Sequence, residues 1–246
     1  MLTHRLMVLA LLAFAPQAGG EEIRVAVAAN FVRPLEALSA GFEARTGNRI
    51  VPIPGSTGTL YAQIRAGSPV HVFLAADQKR PARLAEEGHA IAASLTTYAI
   101  GRLALWSPGR TLSGPEYLKR DDAGRIAIAN PRLAPFGAAA QQTLEHLGAG
   151  RVKLVFGQNV AHAHTLTASG AVAAGFVALS LVREEKGIWE VPPHMHEPIR
   201  QDGVITRFGA RSPAASAFMQ YLASAEASAI ITRHGYATAA SLPRIP

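Results

Sequence analysis

The stretch Gly55-Ser56-Thr57-Gly58-Thr59-Leu60-Tyr61-Ala62-Gln63-Ile64 is a turn of small residues that joins an apolar strand to an amphipathic helix. Strand character precedes it at residues 50–53, and apolar residues recur after it with the helical period. Ser56 or Thr57 is predicted to cap the helix. The first N–H groups of a helix have no internal partner, and the aligned peptide dipoles leave roughly half a positive charge there. The turn is therefore typical of an ordinary capped helix and also of half an anion site.

Strand, polar turn and helix follow one another repeatedly along the chain. Besides 50–53, strands are predicted at residues 23–29, 70–76, 99–106 and 125–131. Helices follow most of them, such as the one opened by Pro34 and closed by Gly47. This alternation indicates parallel sheets with helices on both faces. Ligands of such sheets bind beyond the carboxyl ends of the strands, where the polar turns lie.

Composition sets the broad class of the protein. The 246 residues are 49% hydrophobic and 17% charged, which provides one large core or two lobes of ordinary domain size. The net charge is +7, but Lys and Arg are scattered, and no nucleic-acid-binding motif is present. We therefore predict a basic protein without a nucleic-acid partner. The absence of cysteine excludes disulfides, thiolate nucleophiles and cysteine-bound metals.

Residues 1–20 have the pattern of a secretory signal peptide. A short basic region at residues 1–5 precedes an apolar run at 6–15 and a tail of small residues that ends at Gly20. The apolar run is about half the ~20 residues that span a bilayer. We expect cleavage after Gly20 and export of the mature chain, with an uncleaved membrane anchor as the alternative.

Six short segments of the chain carry a common pattern. They are 28–31 (Ala-Ala-Asn-Phe), 55–64, 73–78 (Phe-Leu-Ala-Ala-Asp-Gln), 134–137 (Ala-Pro-Phe-Gly), 159–161 (Asn-Val-Ala) and 175–180 (Gly-Phe-Val-Ala-Leu-Ser). Each is a weak motif alone, whereas the ordered set covers essentially the whole mature chain. Together these segments resemble the molybdate-binding periplasmic proteins of bacterial ABC importers.

This resemblance implies an α/β fold, the two-lobed periplasmic binding protein fold of type II, in which each lobe is a mostly parallel sheet flanked by helices and two strands form the hinge. Residues 21–98 and 200–246 would build the first lobe and residues 99–199 the second, after the signal peptide 1–20. The function implied is a periplasmic receptor that captures molybdate or tungstate between the lobes and presents it to a membrane permease. It would be a monomer without catalytic activity or cofactor.

The resemblance also implies a set of ligand contacts. Two departures from the family pattern concern hydrogen-bond donors: Ala178 stands where many members have a tyrosine, and Phe136 lacks the hydroxyl that some members carry there. Asn30 is expected to supply the missing donor through its amide. The family's contacts fall on Ala29, Asn30, Ser56 and Thr57, and on the backbone N–H groups of Phe136 and Val160.

Alternative functions remain open from the residues alone. The ligand could be another oxyanion such as sulfate, or a carboxylate. A secreted metal-binding protein or hydrolase would use the two histidine pairs, His162 with His164 and His194 with His196. Residues two apart on a helix point away from each other, so exposed histidines without a metal are favoured. No Gly-x-Ser-x-Gly or Walker motif is present, and the acidic pairs 121–122 and 184–185 are typical of solvated surface.

Overall fold

The computed structural model describes residues 20–110, 114–120 and 123–237. Three features considered above lie outside this part of the chain: the predicted signal peptide apart from Gly20, the acidic pair Asp121-Asp122, and the C-terminal residues 238–246. Among the described residues, no helix combines the length and the apolar character needed to cross a membrane.

Ten strands in the described part of the chain form two five-stranded sheets. In spatial order, the first sheet contains β2 (Arg49–Gly55), β1 (Glu22–Ala28), β3 (Val72–Leu74), β10 (Ile199–Ile205) and β4 (Thr96–Gly101). The second contains β7 (Lys153–Gly157), β6 (Arg125–Ala129), β8 (Ala174–Ala178), β5 (Leu103–Trp106) and β9 (Ile188–Glu190). We call each sheet with its helices a lobe.

In each sheet one strand runs against the other four. In the first, β1 is parallel to β2 and β3, and β10 is antiparallel to β3 and β4. In the second, β6 is parallel to β7 and β8, and β5 is antiparallel to β8 and β9. The central strands are covered on both faces, which explains why β8 is a continuous apolar run. The predicted α/β architecture of two mostly parallel sheets is confirmed.

Helices connect the strands and cover the sheets. The first lobe contains α1 (Val32–Thr46), α2 (Thr57–Arg65), α3 (Lys79–Glu86), α8 (Pro213–Leu222) and α9 (Ala225–Arg233). The second contains α4 (Glu116–Lys119), α5 (Pro135–His146), α6 (Val160–Ala168) and α7 (Leu179–Val182). Short 3-10 turns occur at Ala29–Phe31, Ala92–Ser94, Pro193–Met195 and Phe208–Arg211. As predicted, Gly47 ends α1 in the left-handed conformation, with φ of 71°.

Apolar layers fill both lobes. One cluster of the first lobe joins α1, α8 and α9 to the sheet and fully buries Phe31, Phe42 and Phe218. A separate cluster contains residues of α2 and α3. In the second lobe, residues of β6, β8 and α5 form the largest cluster, which includes Phe176 and Ile128. These layers hold the strand ends, and therefore the turns that follow them, in fixed positions.

Two connections cross between the lobes. The single strand predicted at residues 99–106 is wrong, because β4 ends at Gly101 in the first sheet and β5 begins at Leu103 in the second. Only Arg102 interrupts the apolar run there, and one charged residue is too short a break for periodicity to reveal the change of sheet. The return crossing leads from β9 into β10, close to the predicted position. The lobe boundaries predicted between residues 98 and 99 and between residues 199 and 200 stay a prediction. Because β4 belongs to the first sheet, a first boundary at Arg102 is favoured.

Candidate anion-binding site

The six residues predicted to contact the ligand all lie around one small cavity between the lobes. They follow the carboxyl ends of β1, β2, β6 and β7, the edge at which α/β sheets bind ligands. The cavity volume is about 10 Å³, far below the roughly 300 Å³ at which pockets for drug-sized ligands begin. Its wall consists of Ala28, Ala29, Asn30, Gly55, Ser56, Thr57 and Ala76 from the first lobe, and of Ala134, Pro135, Phe136, Asn159 and Val160 from the second.

The residues around the cavity carry hydrogen-bond donors but no charge. Of the described residues that line it, none has an ionisable side chain. Its polar groups are hydroxyls, amides and the N–H groups at the start of three helices, α2, α5 and α6. A helix N-terminus favours negative charge, and neutral donors bring no counter-charge that titrates. The wall is therefore suited to a small anion.

Ser56 is the cap of α2. Its Oγ accepts the N–H of Thr59 at 3.2 Å and shares a hydrogen bond with Oγ1 of Thr59 at 2.7 Å. The N–H of Thr57, one residue into the helix, has no acceptor among the described residues. The turn at residues 55–58 thus caps α2 and also leaves the backbone N–H of Thr57 for a ligand at the cavity.

Thr57 is fixed by a hydrogen bond that leaves its hydroxyl proton available. Its Oγ1 accepts the backbone N–H of Ala76 at 3.0 Å, and the residue is 1% exposed. A hydroxyl has one proton and two lone pairs, so Thr57 can still donate. Since both residues line the cavity, the bond to Ala76 positions a side-chain donor there.

Asn30 lies at the cavity, but its amide is already bonded within the protein. Nδ2 donates to Oε1 of Gln201 at 2.9 Å and to the hydroxyl of Tyr236 at 3.0 Å. The expectation that this amide replaces the missing tyrosine donor is therefore contradicted, because two residues distant in sequence occupy both of its hydrogens. Ala29 and Asn30 form part of a buried 3-10 turn after β1, so their backbone is what they place at the cavity.

Phe136 provides the first backbone donor of α5. The helix begins at Pro135, which has no N–H, and among the described residues the N–H of Phe136 finds no acceptor. The ring packs against the crossing between the lobes, where its Cζ would lie 2.7 Å from a Cβ placed on Gly101. Glycine is needed at position 101 for this contact, and the ring serves as a wall, as predicted.

Val160 begins α6 in the same way. Asn159 caps that helix by accepting the N–H of His162 at 2.9 Å, which leaves the N–H of Val160 without an acceptor in the described structure. Ala178, which stands where many family members have a tyrosine, is buried at the end of β8 and does not line the cavity. The second lobe therefore offers two backbone donors at this point.

The two lobes are in direct contact beside the cavity. The N–H of Gly58 on α2 donates to the carbonyl of Leu133 in the second lobe at 2.8 Å. A guanidinium N–H of Arg80 donates to the carbonyl of Arg132 at 2.9 Å, while the same side chain forms an ion pair with Asp77. The structure thus represents a closed arrangement of the lobes.

A larger interlobe cavity adjoins this site and shares Ala76 and Pro135 with it. Its wall carries both signs of charge, from Asp77 and Glu197 and from three basic side chains. The mixed charge makes it less suited to holding a small dianion than the uncharged cavity beside it.

Three residues that form hydrogen bonds with Asn30 are not among those predicted from the sequence. Gln201 lies on β10, Tyr236 follows α9, and Ser180 lies on α7, up to 206 residues from Asn30 in sequence. Burial raises the pKa of the Tyr236 phenol, so it stays protonated. No local pattern indicates such contacts, although position 180 lies within a segment that carries the family resemblance.

The histidine pairs have other contacts. The His164 ring stacks on Trp106 at 5.0 Å between centroids, and the His194 ring meets His146 at 5.6 Å. Burial lowers the pKa values of His164 and His196. Across the described residues, no group of three or more His, Cys, Asp or Glu side chains could hold a metal ion. The metal-binding alternative therefore has no support within this part of the chain.

Comparison with known proteins identifies the family. Residues 23–237 match the family model of the bacterial extracellular solute-binding proteins. The molybdate-binding protein ModA of Azotobacter vinelandii is 44% identical over 92% of this chain and 93% of its own length. That of Rhodobacter capsulatus is 41% identical, with 91% and 90% covered.

A solved structure agrees with the sequence comparison. The periplasmic molybdate-binding protein of Azotobacter vinelandii superposes with a TM-score of 0.84 at 39% identity, covering 88% of this chain and 99% of that one. The match confirms the two-lobed fold, and relatives that are binding proteins confirm the prediction of a protein that is not an enzyme. The chain belongs to the bacterial extracellular solute-binding proteins and, within them, to the family of the molybdate-binding proteins.

Proposed function

We propose that this chain is a periplasmic receptor that captures molybdate or tungstate in the cavity between its lobes and delivers it to the membrane permease of an ABC importer. The observation that carries the proposal is that one small, uncharged cavity between the lobes is surrounded by Ala29, Asn30, Ser56, Thr57, Phe136 and Val160. The names of the relatives support the ligand, and the relative described as periplasmic and the predicted signal peptide support the location. The protein needs no cofactor and acts as a monomer.

The donor set favours a fully ionised oxyanion. The hydroxyl of Thr57 and the N–H groups of Thr57, Phe136 and Val160 are donors on residues that line the cavity, and a fully ionised oxyanion only accepts hydrogen bonds. Near neutral pH phosphate keeps at least one proton, and a buried donor without an acceptor costs about 1–3 kcal/mol. Sulfate is fully ionised but smaller than molybdate, so its hydrogen bonds would be stretched beyond their preferred length. Molybdate and tungstate have nearly the same size and charge, so both should bind.

A thermal-shift and native mass spectrometry panel tests this function. The panel contains molybdate, tungstate, sulfate, phosphate and divalent metal ions. Ligands that bind the folded state raise the melting temperature according to their concentration over Kd. We expect large shifts and one bound ion per chain for molybdate and tungstate, with sulfate weaker and phosphate absent. A shift with divalent metals alone would instead support the histidine-based alternative.

Molybdate affinity should be nearly independent of pH between about 6 and 9, outside the ordinary range of Asp, Glu and Lys. No ionisable side chain lines the described cavity, and burial raises the pKa values of Tyr98 and Tyr236 so that both phenols stay neutral. A histidine in contact with the ion would produce a step near its usual pKa of about 6.5. Competition titrations across this range measure the affinity, and a steep step there would contradict an all-neutral site.

A further inference from the structure

A buried group of hydrogen bonds lies behind the cavity and joins the two lobes. Its members are all at least nine-tenths buried: Asn30, Tyr98, Gln201 and Tyr236 from the first lobe and Ser180 from the second. Apart from Asn30, none of them lines the cavity. Their arrangement indicates how the lobes are held closed around the cavity. This inference rests on the function proposed above.

Tyr236 holds Asn30 at two points. Its hydroxyl donates to the backbone carbonyl of Asn30 at 2.6 Å and accepts the side-chain amide of the same residue at 3.0 Å. The amide also donates to Gln201, whose Oε1 accepts the hydroxyl of Tyr98 at 3.2 Å. Asn30 therefore has both its peptide carbonyl and its side chain fixed, which orients the backbone that it places at the cavity.

Ser180 connects this group to the second lobe. Its Oγ lies 3.1 Å from the Tyr236 hydroxyl and donates to the carbonyl of Asn30 at 3.3 Å. Ser180 is on α7, directly after β8, whereas Tyr236 and Asn30 belong to the first lobe. These hydrogen bonds therefore connect the two lobes at a position buried from water, where the loss of a hydrogen bond costs the most free energy.

The end of the described chain brings Tyr236 to this place. Ala237 forms a bridge with Ile100 of β4, with N···O distances of 2.8 and 3.0 Å, and the Tyr236 ring packs edge-on against Phe31 at 5.3 Å. Gln201 lies on β10, the strand that follows the return crossing from the second lobe. Its Nε2 is buried without a partner among the described residues, so the network is anchored through its Oε1.

We propose that Tyr236 and Ser180 form a latch between the lobes, in which Tyr236 positions the Asn30 turn and Ser180 ties that turn to the second lobe in the closed form. Neither residue touches the ligand. Both act through Asn30, so their loss should raise the dissociation rate of the anion and shift the lobes toward the open arrangement.

Calorimetry with molybdate on Tyr236→Phe, Ser180→Ala and the double variant tests the latch. Each single change should weaken binding roughly three- to tenfold, the equivalent of one ordinary hydrogen bond. The double variant should lose less than the product of the two, because both hydroxyls donate to the same carbonyl of Asn30. The matched control is Tyr221→Phe, which removes a buried phenol hydroxyl bonded to Glu226 in the first lobe. It should bind like the wild type even if it melts earlier.

In these titrations, two results would overturn the latch: wild-type affinity in Tyr236→Phe, or losses from the two single changes that multiply independently.

A second measurement does not depend on molybdate. The chain has no cysteine, so spin labels at Lys79→Cys and Gln141→Cys, exposed positions on opposite lobes, report the interlobe distance. In the ligand-free protein, Ser180→Ala should shift this distance toward longer values. An unchanged distribution would overturn the latch, whereas a wild type that fails to bind molybdate would overturn only the proposed function.

Discussion

Replacing Gly58 with valine should weaken molybdate binding by roughly 100-fold while leaving the lobes folded. A Cβ at this position would lie 3.1 Å from both the Cα and the carbonyl oxygen of Leu133, and 3.2 Å from the Arg80 guanidinium. Overpacking of this kind costs about 1–3 kcal/mol, or roughly 5- to 150-fold, and the branched valine belongs at the upper end. Gly58→Ala should show a smaller loss.

The contact of this Cβ with Leu133 is between the lobes, whereas Arg80 lies in the same lobe as Gly58, where its flexible guanidinium can move away. Gly58 lies within α2, where a residue with a side chain is preferred to glycine, so the free energy of unfolding of the ligand-free protein should not fall. Small-angle scattering should show a smaller radius of gyration for the wild type with molybdate, and little change for Gly58→Val. Gln63→Val, on the exposed side of the same helix, is the control. Wild-type affinity in Gly58→Val would mean that binding does not require this closure.

Replacing Thr57 with valine should weaken molybdate binding by roughly 10- to 150-fold. The change keeps the shape of the side chain and removes one hydrogen bond to a charged acceptor, worth about 1.5–3 kcal/mol. From the sequence alone, the same change is expected to leave stability unaffected. The structure revises this, because Oγ1 of Thr57 also accepts the buried N–H of Ala76. The variant should therefore melt at a lower temperature as well.

Thr57→Ser separates the two roles of this residue. Serine keeps both the donor and the acceptor, so affinity and melting temperature should stay near wild type. Calorimetry gives the affinity and thermal unfolding gives the stability. A Thr57→Val variant that melts early but binds molybdate like the wild type would assign Thr57 to the support of Ala76 alone.

The turns of the site could be predicted from sequence because each is local. A strand, a short polar turn and a helix start are encoded within about ten residues, as at Gly55–Ile64, and the carboxyl ends of parallel strands meet at one edge of the sheet. This geometry places Ser56, Thr57, Phe136 and Val160 together without any knowledge of long-range contacts. The family resemblance then supplied the ligand class, which periodicity cannot give.

The remaining features depend on contacts between distant parts of the chain. The change of sheet at Arg102 lies between two buried apolar strands, β4 and β5, with only this one charged residue to separate them. The role expected of the Asn30 amide failed because Gln201 and Tyr236, 171 and 206 residues away, occupy its hydrogens. Such pairings are fixed by tertiary packing, and a single sequence carries no periodic signal for them.

Anomalous diffraction at the molybdenum absorption edge, from crystals grown with molybdate, tests the central claim most directly. We predict one strong peak per chain in the cavity between the lobes, within hydrogen-bond reach of the Thr57 hydroxyl and of the N–H groups of Phe136 and Val160. A protein that binds molybdate in solution but shows its peak in the charged cavity beside Lys79 and Arg200, or on the surface, would contradict this site.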